Sequence, residues 1–256
     1  MTTIQSKSGR KQARWETYQH EGHWRSAADE FDAAKLGMWL FLTTEVLLFA
    51  GIFCAYAIFR MLYPEAFAIG SGYLDVKFGL LNTIVLLVSS FTVAMAVRCA
   101  QKNQQSWLRI NLYITLVCAA LFLAIKFTFE YIPKWSGYFF FLDPTLGHYE
   151  KSGQTAMWGM FHFVEGYGGK RPGAFFDYPF AQHPAEPLWW AVYYGGTAIH
   201  ALHVVIGAGL LTWVLVRSYR GIYGPKNYTM VETSGLYWHL VDLVWIFLFP
   251  LLYLIH

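Results

Sequence analysis

The sequence contains few charged residues. Asp, Glu, Lys and Arg together make up 14% of its 256 residues, against about 25% in an ordinary soluble domain. Hydrophobic residues make up 56% and aromatic residues 19%, a composition that predicts a membrane protein. The net charge of +3 is small, and the basic residues are spread in short clusters between apolar segments. We therefore expect no nucleic-acid partner.

Cysteine is also scarce, and the sequence motifs that bind metals or haem are missing. The three cysteines, Cys54, Cys99 and Cys118, lie in or at the end of apolar segments. No CxxC, CxxCH or HExxH motif occurs. The sequence therefore supports neither a disulfide framework nor a thiolate metal site. The cysteines therefore give no reason to expect a metal or redox cofactor in this chain.

The chain does contain five apolar segments that are long enough to cross a bilayer. They predict an all-α fold, a polytopic membrane helical bundle with five transmembrane helices at about residues 36–59, 78–97, 108–131, 188–216 and 235–255. Residues 1–34 form a mixed-charge polar tail without the apolar core of a removable signal peptide. Residues 133–187 are rich in Gly, Pro and aromatic residues, and we expect them to form an ordered loop at the membrane surface.

Basic residues without acidic neighbours predict the orientation of the bundle. They follow the second and fourth spans, at Arg98, Lys102, Arg109, Arg217, Arg220 and Lys226. Because such residues favour the cytoplasmic side, the N-terminus is expected to be cytoplasmic, and the C-terminus and the loop 133–187 are expected to be extracytoplasmic.

Ionisable residues lie inside several predicted spans, where each costs about 2.5–3.5 kcal/mol on insertion scales. From the helical rise of about 1.5 Å per residue, Glu45 lies about 15 Å from the cytoplasmic end of its span and His203 about 20 Å, with His200 one turn further out. His239 and Asp242 share a helix face at about 6 and 10 Å. These depths are compatible with one polar seam inside the bundle.

Two interpretations of this seam remain open. The residues are either ligands of a metal or haem, or bundle-facing groups that bond to one another, to backbone carbonyls or to lipid head groups. The second is favoured because the Glu-x-x-His repeats of helical-bundle metal sites are absent. A stand-alone membrane metal enzyme and a proton channel centred on Glu45 are the alternative functions.

Five short motifs resemble subunit III of the haem-copper oxidases. In chain order they are residues 39–51 (WLFLTTEVLLFAG), 80–83 (LLNT), 129–131 (FEY), 200–207 (HALHVVIG) and 237–245 (YWHLVDLVW). They follow the order of the family and cover all five spans, and the last motif is the most diagnostic.

The resemblance implies an accessory, non-redox subunit of a proton-pumping terminal oxidase in the bacterial inner membrane. Such an oxidase reduces O2 to water with electrons from cytochrome c, or from quinol in the alternative case. Haems and copper would belong to subunits I and II. This chain would pack beside subunit I, with subunit II and further respiratory subunits as additional partners, and would bind phospholipid and support proton uptake.

The same resemblance assigns roles to individual residues. Glu45 matches the membrane-buried glutamate of the family, and no residue is expected to be catalytic. Candidates for polar or lipid contacts are His200, His203, His239, Asp242 and Glu130. The chain departs from the family where longer members have two more helices before residue 36, in the length of the loop 133–187, and at Leu240, which replaces a usual Phe. The lipid cleft is therefore expected to be open or completed by a neighbouring subunit.

Overall fold

The computed structural model describes residues 13–72, 74–131, 138–141, 154–155, 162–165 and 183–255. Its helices are α1 (Ala27–Leu62), α2 (Pro64–Ser71), α3 (Val76–Gln101), α4 (Gln105–Ile125), α5 (Glu186–Ser218) and α6 (Thr229–Tyr253). All but the short α2 are long and apolar enough to cross a membrane, and α4 does so together with its π-helical continuation Lys126–Tyr131. The predicted five-span, all-α membrane bundle is confirmed.

Three short strands lie within the predicted loop 133–187. Strands β1 (Tyr138–Phe141), β2 (Gln154–Thr155) and β3 (His162–Glu165) form a small antiparallel sheet with β3 in the middle. Other residues of this loop up to 182 lie outside the described residues, and α5 begins before the loop was expected to end.

Helix α1 begins well before the apolar segment predicted from residue 36. Ser26 is the N-cap of α1, and its side chain accepts a hydrogen bond from the Asp29 amide at 3.1 Å. Asp29 and Glu30 follow in the first turn, where acidic side chains interact favourably with the helix dipole. The last part of the predicted polar tail is therefore helical.

The described part of the N-terminal segment docks on the connection between α5 and α6. The Trp15 amide donates to the Gly221 carbonyl at 3.2 Å, and the Trp15 ring lies so close to Gly224 that a Cβ there would be 2.4 Å from it. The Tyr18 hydroxyl donates to Glu30 at 2.6 Å. Burial, and then this bond to a carboxylate, raise the pKa of Tyr18 to about 12. The segment is thus attached to the bundle by several contacts.

The basic end of the bundle is the end that carries this segment and the α3–α4 and α5–α6 connections. There the Gln105 side-chain amide donates to the Tyr223 carbonyl at 2.7 Å, and Lys35 pairs with Glu232 at 2.7 Å. These contacts place the α4 N-terminus, the α5–α6 connection and the start of α1 at one level.

Helix α6 lies at the centre of the bundle, against α1, α3 and α5, and α4 packs against α3 and α5. In the most apolar window of each helix, 61% of the residues of α6 are buried but only 17% of those of α1, so α1 is peripheral. Helices α5 and α6 approach closely at Gly207, where a Cβ would lie 2.8 Å from the Trp238 ring. The outward side chains are large and apolar, as a lipid or subunit interface requires.

Candidate functional site

The carboxylate of α1 and a histidine of α5 form an ion-pairing contact inside the bundle. Glu45 Oε2 lies 2.8 Å from His203 Nε2. Only 16% of the Glu45 side chain and 10% of the His203 side chain are exposed. Phe49 and Tyr237 flank the imidazole, with ring centroids at 5.2 and 6.3 Å. The contact therefore lies in an aromatic, poorly hydrated setting.

The second nitrogen of His203 defines where the protons of this pair reside. His203 Nδ1 is 2.7 Å from the Ile199 carbonyl, and because a carbonyl only accepts, Nδ1 carries hydrogen. The short Nε2 to Oε2 contact then needs one more proton. Either a protonated Glu45 donates to a neutral imidazole, or an imidazolium donates to a carboxylate. In both forms the pair holds the same shared proton and has no net charge, which suits its membrane position.

A second buried pair lies at the distal end of the bundle, opposite the basic end. Lys126 and Glu130 are 0% and 1% exposed, and the Lys126 ammonium donates to Glu130 Oε2. Lys126 also donates to the Tyr253 hydroxyl at 2.7 Å, and the Tyr193 hydroxyl donates to Glu130 at 2.8 Å. Rings surround the ammonium at 5.0–5.6 Å, from Tyr131, Tyr193, Trp245 and Tyr253. This cluster joins α4, α5 and α6.

A third polar group joins α3 to α6. The Ser90 hydroxyl lies 2.7 Å from His239 Nδ1. Asp242, one turn along α6 and 3% exposed, interacts with the same hydroxyl, although no hydrogen bond of standard geometry joins the two. His239 and Asp242 thus face α3.

His200 is enclosed but makes no hydrogen bond with any described residue. It is 0% exposed, and neither ring nitrogen has a partner among the described residues. Its ring packs against those of Phe122 and Trp245, with centroids at 5.5 and 5.1 Å, and these two rings also contact each other at 5.0 Å. Asn82 on α3 is likewise 0% exposed, with no partner for its amide in the described part of the chain. These contacts make His200 a packing residue of the aromatic core.

The structure divides the predicted seam into separate groups. Glu45 and His203, which were expected at similar depths, do meet. His200 is one turn from His203 but turns toward α4 and α6, and His239 and Asp242 face α3. Glu130 belongs to the distal cluster. In the described part of the chain, no three His, Cys, Asp or Glu side chains are grouped closely enough to hold a metal ion.

Several partners in these groups were not among the predicted site residues. Lys126 had a visible signal, because it stands four residues before Glu130 in an apolar helix and so shares its face. Ser90, Tyr193 and Tyr253 had none, since a hydroxyl in an apolar helix is common.

Fold and polar groups define a multi-pass membrane protein whose interior holds paired ionisable side chains. The family model "Cytochrome c oxidase subunit III" matches residues 13–139 and 175–256. The chain therefore belongs to the cytochrome c oxidase subunit III family, as its motifs predicted, and is an accessory subunit III of a terminal oxidase within a haem-copper oxidase complex.

Individual relatives resemble the chain along most of its length. It is 28% identical to a cytochrome c oxidase subunit 3 of Thermostichus vulcanus, over 88% of each chain. It is 24% identical to a quinol oxidase subunit 3 of Bacillus subtilis, over 86% of this chain and 85% of that protein. It is also 28% identical to a heme-copper oxidase subunit I+III of Aeropyrum pernix, over 91% of this chain and 24% of that longer protein.

Proposed function

We propose that this chain is a non-catalytic subunit of a proton-pumping cytochrome c oxidase, whose haems and copper are held by partner subunits. Its contribution is to support the stability, lipid binding and proton uptake of subunit I. The observation that carries this proposal is the Glu45–His203 pair, a membrane-embedded carboxylate that shares one proton with an imidazole.

The geometry of the pair suits proton exchange. Because the proton lies between two bases, it moves between Oε2 and Nε2 without changing the charge of the pair. The pair becomes cationic when it gains a further proton and anionic when it loses its own. Glu45 keeps some exposure on the side of the peripheral helix α1, so exchange with groups outside the bundle is sterically open. We assign this carboxylate to the proton traffic of the neighbouring subunit.

Subunit I is the first partner in this proposal. The Aeropyrum pernix relative supports this choice, because its name, subunit I+III, combines the two subunits. Subunit II and further respiratory subunits are additional partners. The sparsely buried helix α1 and its exposed apolar side chains offer a large surface for such contacts.

A bound phospholipid is also part of the proposal. A groove of about 410 Å³ opens between the distal parts of α1 and α6, lined by Phe53, Tyr56, Ala57, Arg60, Met61 and Leu251. Arg60 provides a cation for a phosphate, and the apolar lining suits an acyl chain. His200, Glu130 and Asp242 are enclosed by the bundle, so we place lipid at this groove and not at those residues.

The proposed location is the bacterial inner membrane, with the N-terminus cytoplasmic. The α3–α4 and α5–α6 connections and the helix ends beside them carry the basic residues that have no acidic neighbours in the sequence, and they lie together at the basic end. The positive-inside rule assigns that end to the cytoplasm. The C-terminus of α6 and the loop 133–187 are then extracytoplasmic.

A quinol-oxidizing complex is the second candidate. The similarity to a quinol oxidase subunit 3 of Bacillus subtilis favours it. To identify the electron donor, reduced cytochrome c and a quinol are each supplied to the same purified complex, and O2 consumption is measured with each.

The experiment that tests the proposal is to purify the oxidase through a tag on this chain and then release the chain with a stronger detergent. We expect haem, copper and O2-reducing activity to stay with the remaining subunits. Stoichiometric haem or metal in the released chain would refute a non-catalytic role. Recovery of the tagged chain without any haem-containing subunit would refute the assignment to an oxidase.

A further inference from the structure

His239 presents one ring nitrogen to the outside of the bundle. Its Nδ1 is engaged by Ser90 of α3 at 2.7 Å. Nε2 has no hydrogen bond to any described residue, and unlike the enclosed atoms of His200 it is not sealed from the surface. The ring itself is partly exposed. A polar atom on the outer surface of a membrane helix therefore has no partner within this part of the chain.

The depth of His239 separates it from the lipid head groups. The Lys35–Glu232 ion pair at 2.7 Å marks the interfacial level of α1 and α6, since it lies at the basic end and, unlike the two buried pairs, leaves 39% of its lysine side chain exposed. His239 is seven residues further along α6, which is about 10 Å deeper at about 1.5 Å per residue. This depth exceeds the value of about 6 Å expected from the sequence, because α6 begins at Thr229, before the span that was expected from residue 235. At that depth a neighbour is either an acyl chain, which cannot hydrogen-bond, or another protein helix.

The residues that neighbour His239 and Ser90 along their helices are apolar and exposed. Leu243 lies one turn along α6 and is 48% exposed, and Leu87 and Phe91, beside Ser90 on α3, are 50% and 66% exposed. A single hydrogen-bonding atom thus sits in an apolar surface formed by two adjacent helices. This arrangement matches interfaces between transmembrane helices, in which apolar packing is combined with one polar contact.

Three other outward polar side chains of the bundle differ from His239. The exposed hydroxyls of Thr43 and Thr44 donate to the Trp39 and Phe41 carbonyls of their own helix, as Thr212 does to the Ala208 carbonyl. Those groups are satisfied without any partner chain. The contact between His239 and Ser90 uses only one of the two imidazole nitrogens, which leaves the other available.

We propose that the surface formed by His239, Leu87, Phe91 and Leu243 docks a transmembrane helix of another oxidase subunit, whose hydroxyl or amide side chain hydrogen-bonds His239 Nε2. A hydroxyl or amide suits either proton arrangement of the imidazole. If Ser90 donates to Nδ1, Nε2 carries hydrogen and donates to the partner. If Nδ1 donates to Ser90, Nε2 accepts from the partner. The inference rests on the proposed function for the identity of the partner as an oxidase subunit.

The direct test places a photoreactive amino acid at Leu243 in the tagged, intact complex in its native membrane. The control position is Val117 on α4, which is 64% exposed on a different helix. We expect the probe at 243 to form a covalent adduct with another oxidase subunit. Adducts with lipid alone at 243, whatever the probe at 117 contacts, would overturn the inference.

The second test measures the hydrogen bond itself. His239→Leu keeps an apolar surface but removes the nitrogen, and His239→Gln keeps a hydrogen-bonding group in its place. We expect His239→Leu to retain about fivefold less of the haem-containing subunits after a detergent wash, as the loss of one intramembrane hydrogen bond predicts, and His239→Gln to lose less. Equal retention by wild type and His239→Leu overturns the polar contact. A wild-type chain that retains no haem-containing subunit overturns the proposed function instead.

Discussion

Glu45 Oε2 and His203 Nε2 lie 2.8 Å apart, and the Ile199 carbonyl holds the opposite nitrogen of the imidazole in its protonated form. This backbone contact removes the freedom of the imidazole to offer either nitrogen to Glu45. A membrane carboxylate is thereby matched by a base that carries or accepts one proton, and the pair stays neutral. The cost of placing Glu45 inside the bundle is met within this chain, at the junction of α1 and α5.

The first prediction concerns the two partners of this pair. His203→Leu leaves the Glu45 carboxylate without its partner, so we expect the complex to lose about 3–5 kcal/mol of unfolding free energy, the range for a broken buried pair. Glu45→Gln is the matched control, because its amide donates to Nε2 while Nδ1 remains bonded to the Ile199 carbonyl. We expect it to cost less than about 1 kcal/mol. Denaturant unfolding in detergent micelles measures both, and equal losses would contradict the shared-proton geometry.

The second prediction concerns the distal cluster. Glu130→Gln leaves the fully buried Lys126 ammonium without a counter-charge, and we expect a loss of about 3–5 kcal/mol. The double substitution Lys126→Met and Glu130→Met removes both charges and should be less damaging than Glu130→Gln alone. Thermal unfolding of the detergent-solubilised complex checks the order. A double variant that is less stable than Glu130→Gln would contradict this prediction. It would show that the hydrogen bonds of the charged pair stabilise the bundle, beyond the mutual neutralisation of the two charges.

The third prediction separates two histidines that stand one turn apart. His200 makes no hydrogen bond to a described residue, whereas His203 makes two. Replacing His200 by Phe removes buried polar atoms and keeps a ring packed against Phe122 and Trp245, so the change should be neutral or stabilising. The same replacement at His203 should destabilise the complex. Comparison of the two melting temperatures is the measurement, and a strongly destabilised His200→Phe would reveal a polar partner for His200.

The fourth prediction concerns the docked N-terminal segment. A Cβ at Gly224 would lie 2.4 Å from the Trp15 ring, so Gly224→Val should displace Trp15 from the α5–α6 connection. Limited trypsin digestion should then cut faster at Arg25, which follows the docked segment. Gly209→Val is the control, because a Cβ at Gly209 meets no atom within 4 Å. Unchanged cleavage in Gly224→Val would contradict the docking.

The sequence predicted well how deep each polar residue lies along its helix, but poorly which neighbouring helix that residue faces. Helical rise placed Glu45 and His203 at similar levels, and the two residues do meet. The direction in which a side chain points also depends on rotation about the helix axis, and three residues turn the chain by about 300°. His203 therefore faces α1, whereas His200 packs among the rings of α4 and α6. The neighbour that each face meets depends on how the helices are arranged, and the apolar pattern of a membrane helix does not encode this arrangement strongly.

The same limit explains the partners that sequence reasoning did not assign. Ser90 meets His239 because α3 lies beside α6, and Tyr193 and Tyr253 meet Glu130 because three helix ends converge at the distal end. Such contacts join residues that are far apart in the chain, so no spacing in the sequence predicts them. The Lys126–Glu130 pair could have been predicted from the sequence, because its residues are four positions apart and therefore share one helix face.

The central claim is that this chain serves the turnover of an oxidase whose redox centres lie in other subunits. The most direct measurement is the number of turnovers that the purified oxidase completes before it loses activity, with this chain present, removed and added back. We predict an unchanged initial rate of O2 reduction without the chain, a shorter active lifetime, and recovery of that lifetime on adding the wild-type chain but not the Glu45→Ala variant. An active lifetime that is the same with and without the chain, or an initial rate that vanishes with its removal, would contradict the account.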